Sequence, residues 1–363
     1  KGIIMGVLER LLSTKYGPEA VDVYQQAMDA GIDISRVTPS TFDKAVAAVQ
    51  NPGRGIEHTT IFRNNALEAL DAPQEPLPRY QPLPRHASNF VTRQFPKRMN
   101  TIMRDVAAGA DMGAGNWYDN ADLLREFQHY HGDEKGALLF DQHMRGIAAT
   151  SSGKPVPQNI KQASALEERL MAGELPDVRS YEEGKAFLKA NEGYLPQGAG
   201  GVTQNNDLFL YNEMVNRPDY HRVRALEAGS PQKIASFAEG LRGNRRPVTF
   251  DRHEARRLGT PYQKLEGDSK KFARPLTTNE YIAAEPYYQS LADLLSAASG
   301  RRIDPANLQG MRWIGGRKAT GVKSMQDTFM REYEDTIQKA AANQGRTPNE
   351  VLKEHILHGL FLQ

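Results

Sequence analysis

Two charged residues, Lys233 and Asp251, have types and a spacing that suit chemistry at a sugar carbon. Asp251 follows Lys233 by 18 positions. A fixed carboxylate stabilises the oxocarbenium-like state through which a glycosidic bond breaks, and it can also activate the attacking nucleophile. A lysine whose amine is partly desolvated becomes a nucleophile that forms a Schiff base with a sugar carbon. Asp251 and Lys233 are therefore the catalytic candidates.

Both candidates are expected at the starts of short helices. Ser230 and Pro231 are typical of an N-cap and a first helical turn, so a helix is predicted to begin at Pro231, shortly before Lys233. Asp251 is predicted to cap a second helix over 251–258, where the helix dipole favours a negative charge. The predicted unit is a helix, a tight loop and a second helix, with a lysine and an aspartate at the two starts.

The stretch from Gly229 to Arg256 resembles the helix-hairpin-helix base-excision DNA glycosylases. Their signature has a glycine that opens a hairpin, a lysine four residues on, and an aspartate that starts a D-x-H-x-x-R helix. In this chain the last motif is Asp251-Arg252-His253-Glu254-Ala255-Arg256. A second stretch, 148–170, is similar to the base-wedge segment of the family, particularly of its 8-oxoguanine branch. The resemblance covers about residues 120 to 260.

The resemblance implies a DNA N-glycosylase, with or without abasic-site lyase activity, that flips a modified or damaged base out of duplex DNA. It implies that Asp251 acts on the glycosidic bond and Lys233 on the abasic site. Duplex DNA is then the partner, and no cofactor and no metal are expected. The DNA-binding candidates are Gly229, Ser230, Lys154, Gln158, Asn159, Arg245, Arg246, Arg252, His253 and Arg256.

Two other functions stay open. Pro231 cannot donate an amide hydrogen to a DNA phosphate. The wedge segment also lacks the usual glutamine or paired asparagines, so Lys154, Gln158 or Asn159 would have to fill the space of a flipped base. These departures suit an enzyme of bacteriophage thymine hypermodification on the same fold. The third hypothesis is a non-catalytic DNA-binding module, or a virion-associated phage protein ejected with DNA, within a larger phage polypeptide or assembly.

The composition is that of a globular protein and not of a polycation. Of 363 residues, 39% are hydrophobic and 25% charged, and the formal net charge is only +2, so DNA contacts must come from local basic patches. The lack of cysteine excludes disulfides and thiolate-bound metal sites. Without a membrane-length apolar run or a signal peptide, we expect a cytoplasmic protein with no membrane partner, or one in the host cytoplasm or virion if it is phage-encoded. The first residue, Lys1, favours a piece of a longer chain.

Apolar periodicity predicts an all-α protein with three parts. These are an N-terminal helical unit over 1–51, a proline-rich linker over 52–96, and a helix-hairpin-helix glycosylase-like domain over 97–363. In the last part, helices are predicted near 97–108, 120–130, 133–149, 158–172, 180–191, 206–216, 219–228, 231–242, 251–258, 278–299, 304–314, 322–343 and 347–361.

Histidines and paired carboxylates elsewhere are expected to have structural roles. His129 and His131 are two positions apart, which makes their side chains diverge on a helix. A core or surface role is therefore favoured over a metal site that would combine them with His143. Glu167 and Glu168 are expected on a solvated face.

Three large aromatic residues and one basic stretch could touch DNA. Trp117, Tyr118 and Trp313 offer rings that could stack on a base, although core packing is the expected role for each. The stretch 315–321 is interpreted as a basic loop able to contact a phosphate, since it lacks the spacing of a phosphate-binding P-loop.

Overall fold

The computed structural model describes residues 6–52, 89–151, 154–191, 194, 202–216, 232–260, 262–264, 271–321 and 328–358. These residues are mostly helical, and the all-α class is confirmed. Two three-residue strands, β1 (Tyr262–Lys264) and β2 (Lys271–Ala273), pair antiparallel with Tyr262 opposite Ala273. No helix in this part of the chain combines the length and the apolar character that crossing a membrane requires.

Helices account for most of the described residues. In chain order they are α1 (Val7–Leu11) with a π-helical turn (Leu12–Tyr16), α2 (Pro18–Asp29), α3 (Pro39–Gln50), α4 (Asn89–Ala110), a 3-10 turn (Ala114–Asn116), α5 (Ala121–His131), α6 (Asp133–Ala149), α7 (Val156–Met171), α8 (Tyr181–Ala190), α9 (Val202–Asn216), α10 (Gln232–Leu241), α11 (Arg252–Leu258), α12 (Thr278–Ser299), α13 (Pro305–Ala319), α14 (Phe329–Gln344) and α15 (Pro348–His358). The predicted helix at 219–228 lies outside the described residues.

The chain divides into two compact units, each assembled from segments that are distant in sequence. The first unit holds the described residues of 6–52, 89–118 and 245–328, and the second those of 119–244 and 329–358. This division differs from the predicted domain over 97–363, because α4 and α12 pack with the N-terminal helices and α13 packs on α4. Most of the predicted linker lies outside the described residues, and its last part, 89–96, is helical.

In the first unit, α4 and α13 cross closely because both carry glycine at the crossing. A Cβ atom on Gly109 would collide with the carbonyl of Met311, and one on Gly315 with the carbonyl of Asp105. The prediction of a basic loop from Gly315 was wrong, since α13 continues to Ala319 and buries Gly315 and Gly316. Packing against α4 overrides the poor helix propensity of the two glycines.

In the second unit, α6 is the central helix. It packs against α5, α7, α9 and α10, while α14 and α15 pack on α7 and α5. The buried side of α6 carries Phe140, His143, Met144 and Ile147. An apolar core continues from it onto Leu208, Tyr211, Met214, Ile234 and Ala238.

Candidate functional site

Asp251 caps α11, and its carboxylate is held by two hydrogen bonds. Oδ1 accepts from the backbone N–H of Glu254 at 2.8 Å, and Oδ2 accepts from the indole Nε1–H of Trp313 at 3.0 Å. Asp251 and Trp313 are both half-buried. The predicted cap is confirmed, and the indole adds a second donor that fixes the orientation of the carboxylate.

The segment before Asp251 is held by side chains of α12. The Tyr281 hydroxyl donates to the carbonyl of Val248 and accepts from the backbone N–H of Phe250, the latter at 3.2 Å. Glu285 Oε1 accepts from the Val248 N–H at 3.4 Å. Burial raises the pKa of Glu285 to about 7, and the hydrogen bond from Val248 opposes that rise. The backbone that leads into Asp251 is therefore anchored at two residues.

A buried ion pair supports α11 from inside the first unit. Glu254 pairs with Arg312, and both residues are no more than 2% exposed. The Tyr288 hydroxyl donates to Glu254 Oε2 at 2.8 Å and accepts from Arg312. Burial lowers the pKa of Arg312 to about 10, while the charges of Asp105 and Asp251 act to raise it. Such a pair is costly to break, because the remaining partner would be a buried, uncompensated charge.

Sequence reasoning missed this ion pair. Glu254 is the third residue of α11, and a glutamate there is usually read as one that reaches back to the N-cap. In the structure it points inward to Arg312, which lies on α13. The apolar residues Ala255 and Leu258 lie on the same short helix and are also buried. They indicate that this helix has an interior face, and this signal could have placed Glu254 there.

Trp117 and Trp313 form an aromatic pair beside the carboxylate of Asp251. Their ring centroids are 4.9 Å apart with an interplanar angle of 67°. Trp117 and Tyr118 are buried, as the core-packing prediction requires. Trp313 is only half-buried, and the guanidinium carbon of Arg317 lies 5.0 Å from its ring centroid. The indole that donates to the carboxylate is thus partly exposed and has a cation near its ring.

Lys233 lies on α10 in the second unit, whereas Asp251 belongs to the first. The Lys233 side chain is half-buried and engaged with neighbouring groups. Gly229, Ser230 and the predicted helix start at Pro231 lie outside the described residues. Joint action of Lys233 and Asp251 at one site stays a prediction.

The DNA-binding candidates of the first unit differ in exposure. His253 and Arg256 are exposed on α11, and Arg245 and Arg246 are half-buried ahead of it. The side chain of Arg252 lies outside the described residues. His253 and Arg256 are therefore the candidates best placed for contact with a phosphate.

The wedge candidates lie at the α6–α7 connection of the second unit. Lys154 Nζ donates to the carbonyl of Thr150 at 3.1 Å, and Gln158 is half-buried. Asn159 is 2% exposed, and its amide oxygen accepts from the Thr150 hydroxyl. The side chain of Asn159 therefore serves the interior in this structure, and its entry into the space of a flipped base stays a prediction.

A second polar cluster lies inside the second unit. His143 Nδ1 is 2.6 Å from Glu167 Oε2, and His143 Nε2 is 2.8 Å from the hydroxyl of Tyr333. The rings of His143 and His355 have centroids 4.9 Å apart. All four residues are buried. The prediction of a solvated face for Glu167 was therefore wrong, and of the core or surface roles expected for His143 the structure shows the core one.

Comparison with protein-family models, with curated proteins and with solved structures gives no match. The fold and the site define an all-α protein with a carboxylate fixed at a helix start beside a partly exposed indole. Any function assigned to it rests on these residues and their geometry.

Proposed function

We propose that this protein is a DNA N-glycosylase that releases a modified or damaged base, with Asp251 as the group that stabilises positive charge on the sugar. The observation that carries the proposal is the double anchoring of the Asp251 carboxylate by the Glu254 amide and the Trp313 indole. A carboxylate held from two directions needs little reorganisation as charge develops, which is the condition for electrostatic stabilisation of a transition state. The D-x-H-x-x-R resemblance supplies the substrate class.

The groups around Asp251 suit the steps of such a reaction. The glycosidic bond breaks, its electron pair leaves with the base, which takes up a proton from solvent, and C1′ develops positive charge that Asp251 would stabilise. Water then adds to C1′ and gives up a proton, which leaves an abasic site. The partly exposed ring of Trp313 offers a stacking surface for an extruded base. His253 and Arg256, exposed on α11, can contact the phosphates that flank it. From the resemblance alone, the Lys233 amine is proposed to condense with the C1′ aldehyde of the abasic product, with loss of water, to form the Schiff base of the lyase step.

Base release from duplexes that contain 8-oxoguanine or other modified bases tests the role of Asp251. Asp251→Asn keeps the size of the side chain but removes its charge, and we expect roughly 100-fold slower release. The matched control is Asp304→Asn, which alters another N-cap aspartate of the same unit. Absence of release by the wild-type protein, or equal rates for Asp251→Asn and wild type, would overturn the proposal. Far-UV circular dichroism establishes that each variant is folded.

Borohydride trapping on abasic duplexes tests the role of Lys233. Reduction of the Schiff base leaves a covalent protein–DNA adduct, and Lys233→Ala should abolish it while base release continues. Lys185→Ala removes an exposed lysine of the same unit that is not among the DNA-binding candidates, and it serves as the control. An adduct that persists in Lys233→Ala would assign the nucleophile to a different amine.

A second candidate is a DNA-binding module without catalysis. The same double hydrogen bonding favours it, because a purely structural N-cap also has its oxygens satisfied by protein donors. Such a module would bind duplex DNA with an affinity that falls steeply with salt. It would keep that affinity in Asp251→Asn and release no base, which separates it from the glycosylase.

A further inference from the structure

We propose that His143, Glu167 and His355 form a binding site for a divalent transition metal ion such as Zn²⁺ inside the second unit. Each residue offers one nitrogen or oxygen atom, and these atoms all lie within 4.8 Å of one another. The three side chains come from α6, α7 and α15, and each residue is no more than 4% exposed. The tertiary fold, and not a local sequence motif, therefore assembles the donors.

The donor set selects the kind of metal. Two imidazoles and one carboxylate suit Zn²⁺ and its first-row neighbours, whereas Ca²⁺ and Mg²⁺ prefer oxygen donors throughout. Zinc lies about 2.0–2.2 Å from such ligands, so ligand atoms in a tetrahedral site are about 3.3 Å apart. Bringing the donors to that spacing takes roughly 1 Å of movement per side chain. The contact of 2.6 Å between His143 Nδ1 and Glu167 Oε2 must open by a similar amount.

Tyr333 provides the supporting contact that a metal-binding histidine needs. Its hydroxyl lies 2.8 Å from His143 Nε2. A carboxylate only accepts hydrogen bonds, so the ring of His143 donates from Nδ1 to Glu167, and Nε2 is left to the hydroxyl of Tyr333. With a metal ion on Nδ1, the ring proton resides on Nε2 and the Tyr333 hydroxyl accepts it. Such an outer partner fixes the ring and its tautomer in most metal sites.

Tyr211 is an independent sign of a missing polar group in this part of the second unit. Its hydroxyl is buried and has no hydrogen-bond partner among the residues that the structure describes. The ring of Tyr211 packs against α6 near His143, since a Cβ on Gly146 would lie 2.6 Å from it. A water molecule as the fourth metal ligand is the kind of group that this hydroxyl can bind.

Refolding with metal tests the site, because a buried ion must enter as the chain folds. The full chain is unfolded in guanidinium, refolded with CoCl₂ or ZnCl₂, and dialysed. We expect about one bound ion per chain, with the visible absorption of four-coordinate cobalt. At a hundredfold excess of free Zn²⁺ over Kd, we also expect Tm to rise by roughly 5–10 °C. Retention of neither ion by the wild-type chain would overturn the proposal.

Variants connect the bound ion to these residues. Glu167→Gln preserves the size of the side chain and His355→Ala removes one imidazole, and each should abolish the cobalt absorption. His129→Ala removes an exposed histidine of the same unit and should bind cobalt as the wild type does. Unchanged binding in either variant whose far-UV circular dichroism matches the wild type would overturn the proposal. If one variant does not fold, the proposal is tested by the cobalt absorption of the other variant and by the number of ions bound per wild-type chain. None of these measurements depends on DNA.

Discussion

Glu285 makes the stability of the first unit depend on pH, because its carboxyl group is desolvated by folding. Burial raises its pKa from the usual 4.5 to about 7. The folded state therefore binds more protons than the unfolded state between these two values. The contribution of Glu285 to the free energy of unfolding accordingly decreases as the pH rises through this window and is constant above it.

We expect Glu285→Gln to flatten this pH dependence and to stabilise the protein at pH 8 by roughly 1–3 kcal/mol. The glutamine carbonyl can still accept from the Val248 N–H, so the anchor of the segment before Asp251 is kept. Urea denaturation at several pH values between 5 and 8 measures the effect. A wild-type protein whose stability is flat across this range would contradict the prediction.

Glu280 provides a control of opposite sign. Burial acts to raise its pKa, but hydrogen bonds from Arg274 and Thr277 prevail and lower it. The stabilisation from its ionised form is present near neutral pH and is lost in acid. Glu280→Gln should therefore destabilise the protein at pH 7, and the difference from the wild type should shrink as the pH falls.

At the scale of single residues, the sequence predicts local contacts and not distant ones. Asp251 could be assigned as a cap because the preference for aspartate at a helix start is set by the next three residues. Its second partner, Trp313, lies 62 positions away, and no local rule pairs them. The same holds for His143 and Tyr333, which are separated by 190 positions.

At the scale of elements, residues that favour helix ends allow the bounds of a helix to be predicted. The predicted bounds 278–299 agree with α12, which begins after Thr277 in a capping box with Glu280 and ends at Gly300 in the left-handed conformation. The end of α13 was missed because a close helix crossing, which is a tertiary feature, decides it. The inward position of Glu167 was predictable, since Ile160 and Ala163 share its helical face and are buried.

Gly315→Ala should lower the free energy of unfolding by roughly 2–3 kcal/mol, because the added methyl group meets the backbone of Asp105. Gly316→Ala is the matched control on the same helix. Its Cβ would meet only the side chains of Asp105 and Arg257, at 3.3 and 3.4 Å. That contact is opposed by a helix-propensity gain of about 1 kcal/mol, so we expect a much smaller loss. Urea denaturation measures both variants, and equal losses would show that the crossing is not the cause.

At the scale of the whole molecule, the composition indicated one boundary, the proline-rich stretch. A single boundary cannot show that each unit is assembled from segments that are distant in sequence. The first unit combines the described residues of 6–52 and 89–118 with those of 245–328. Long-range packing such as that of α13 on α4 creates this arrangement. Periodicity within each helix indicates which face is buried and carries no information on the partner.

Tryptophan fluorescence can separate the unfolding of the two units. The chain has two tryptophans, Trp117 and Trp313, and both belong to the first unit, whereas far-UV ellipticity reports the helices of both. In the second unit, a Cβ on Gly146 would lie 2.6 Å from the buried ring of Tyr211. Gly146→Ala should thus lower the urea midpoint seen by ellipticity and leave the fluorescence midpoint in place. Gly315→Ala should lower the fluorescence midpoint. Equal shifts of both signals in both variants would instead show that the chain unfolds as one cooperative body.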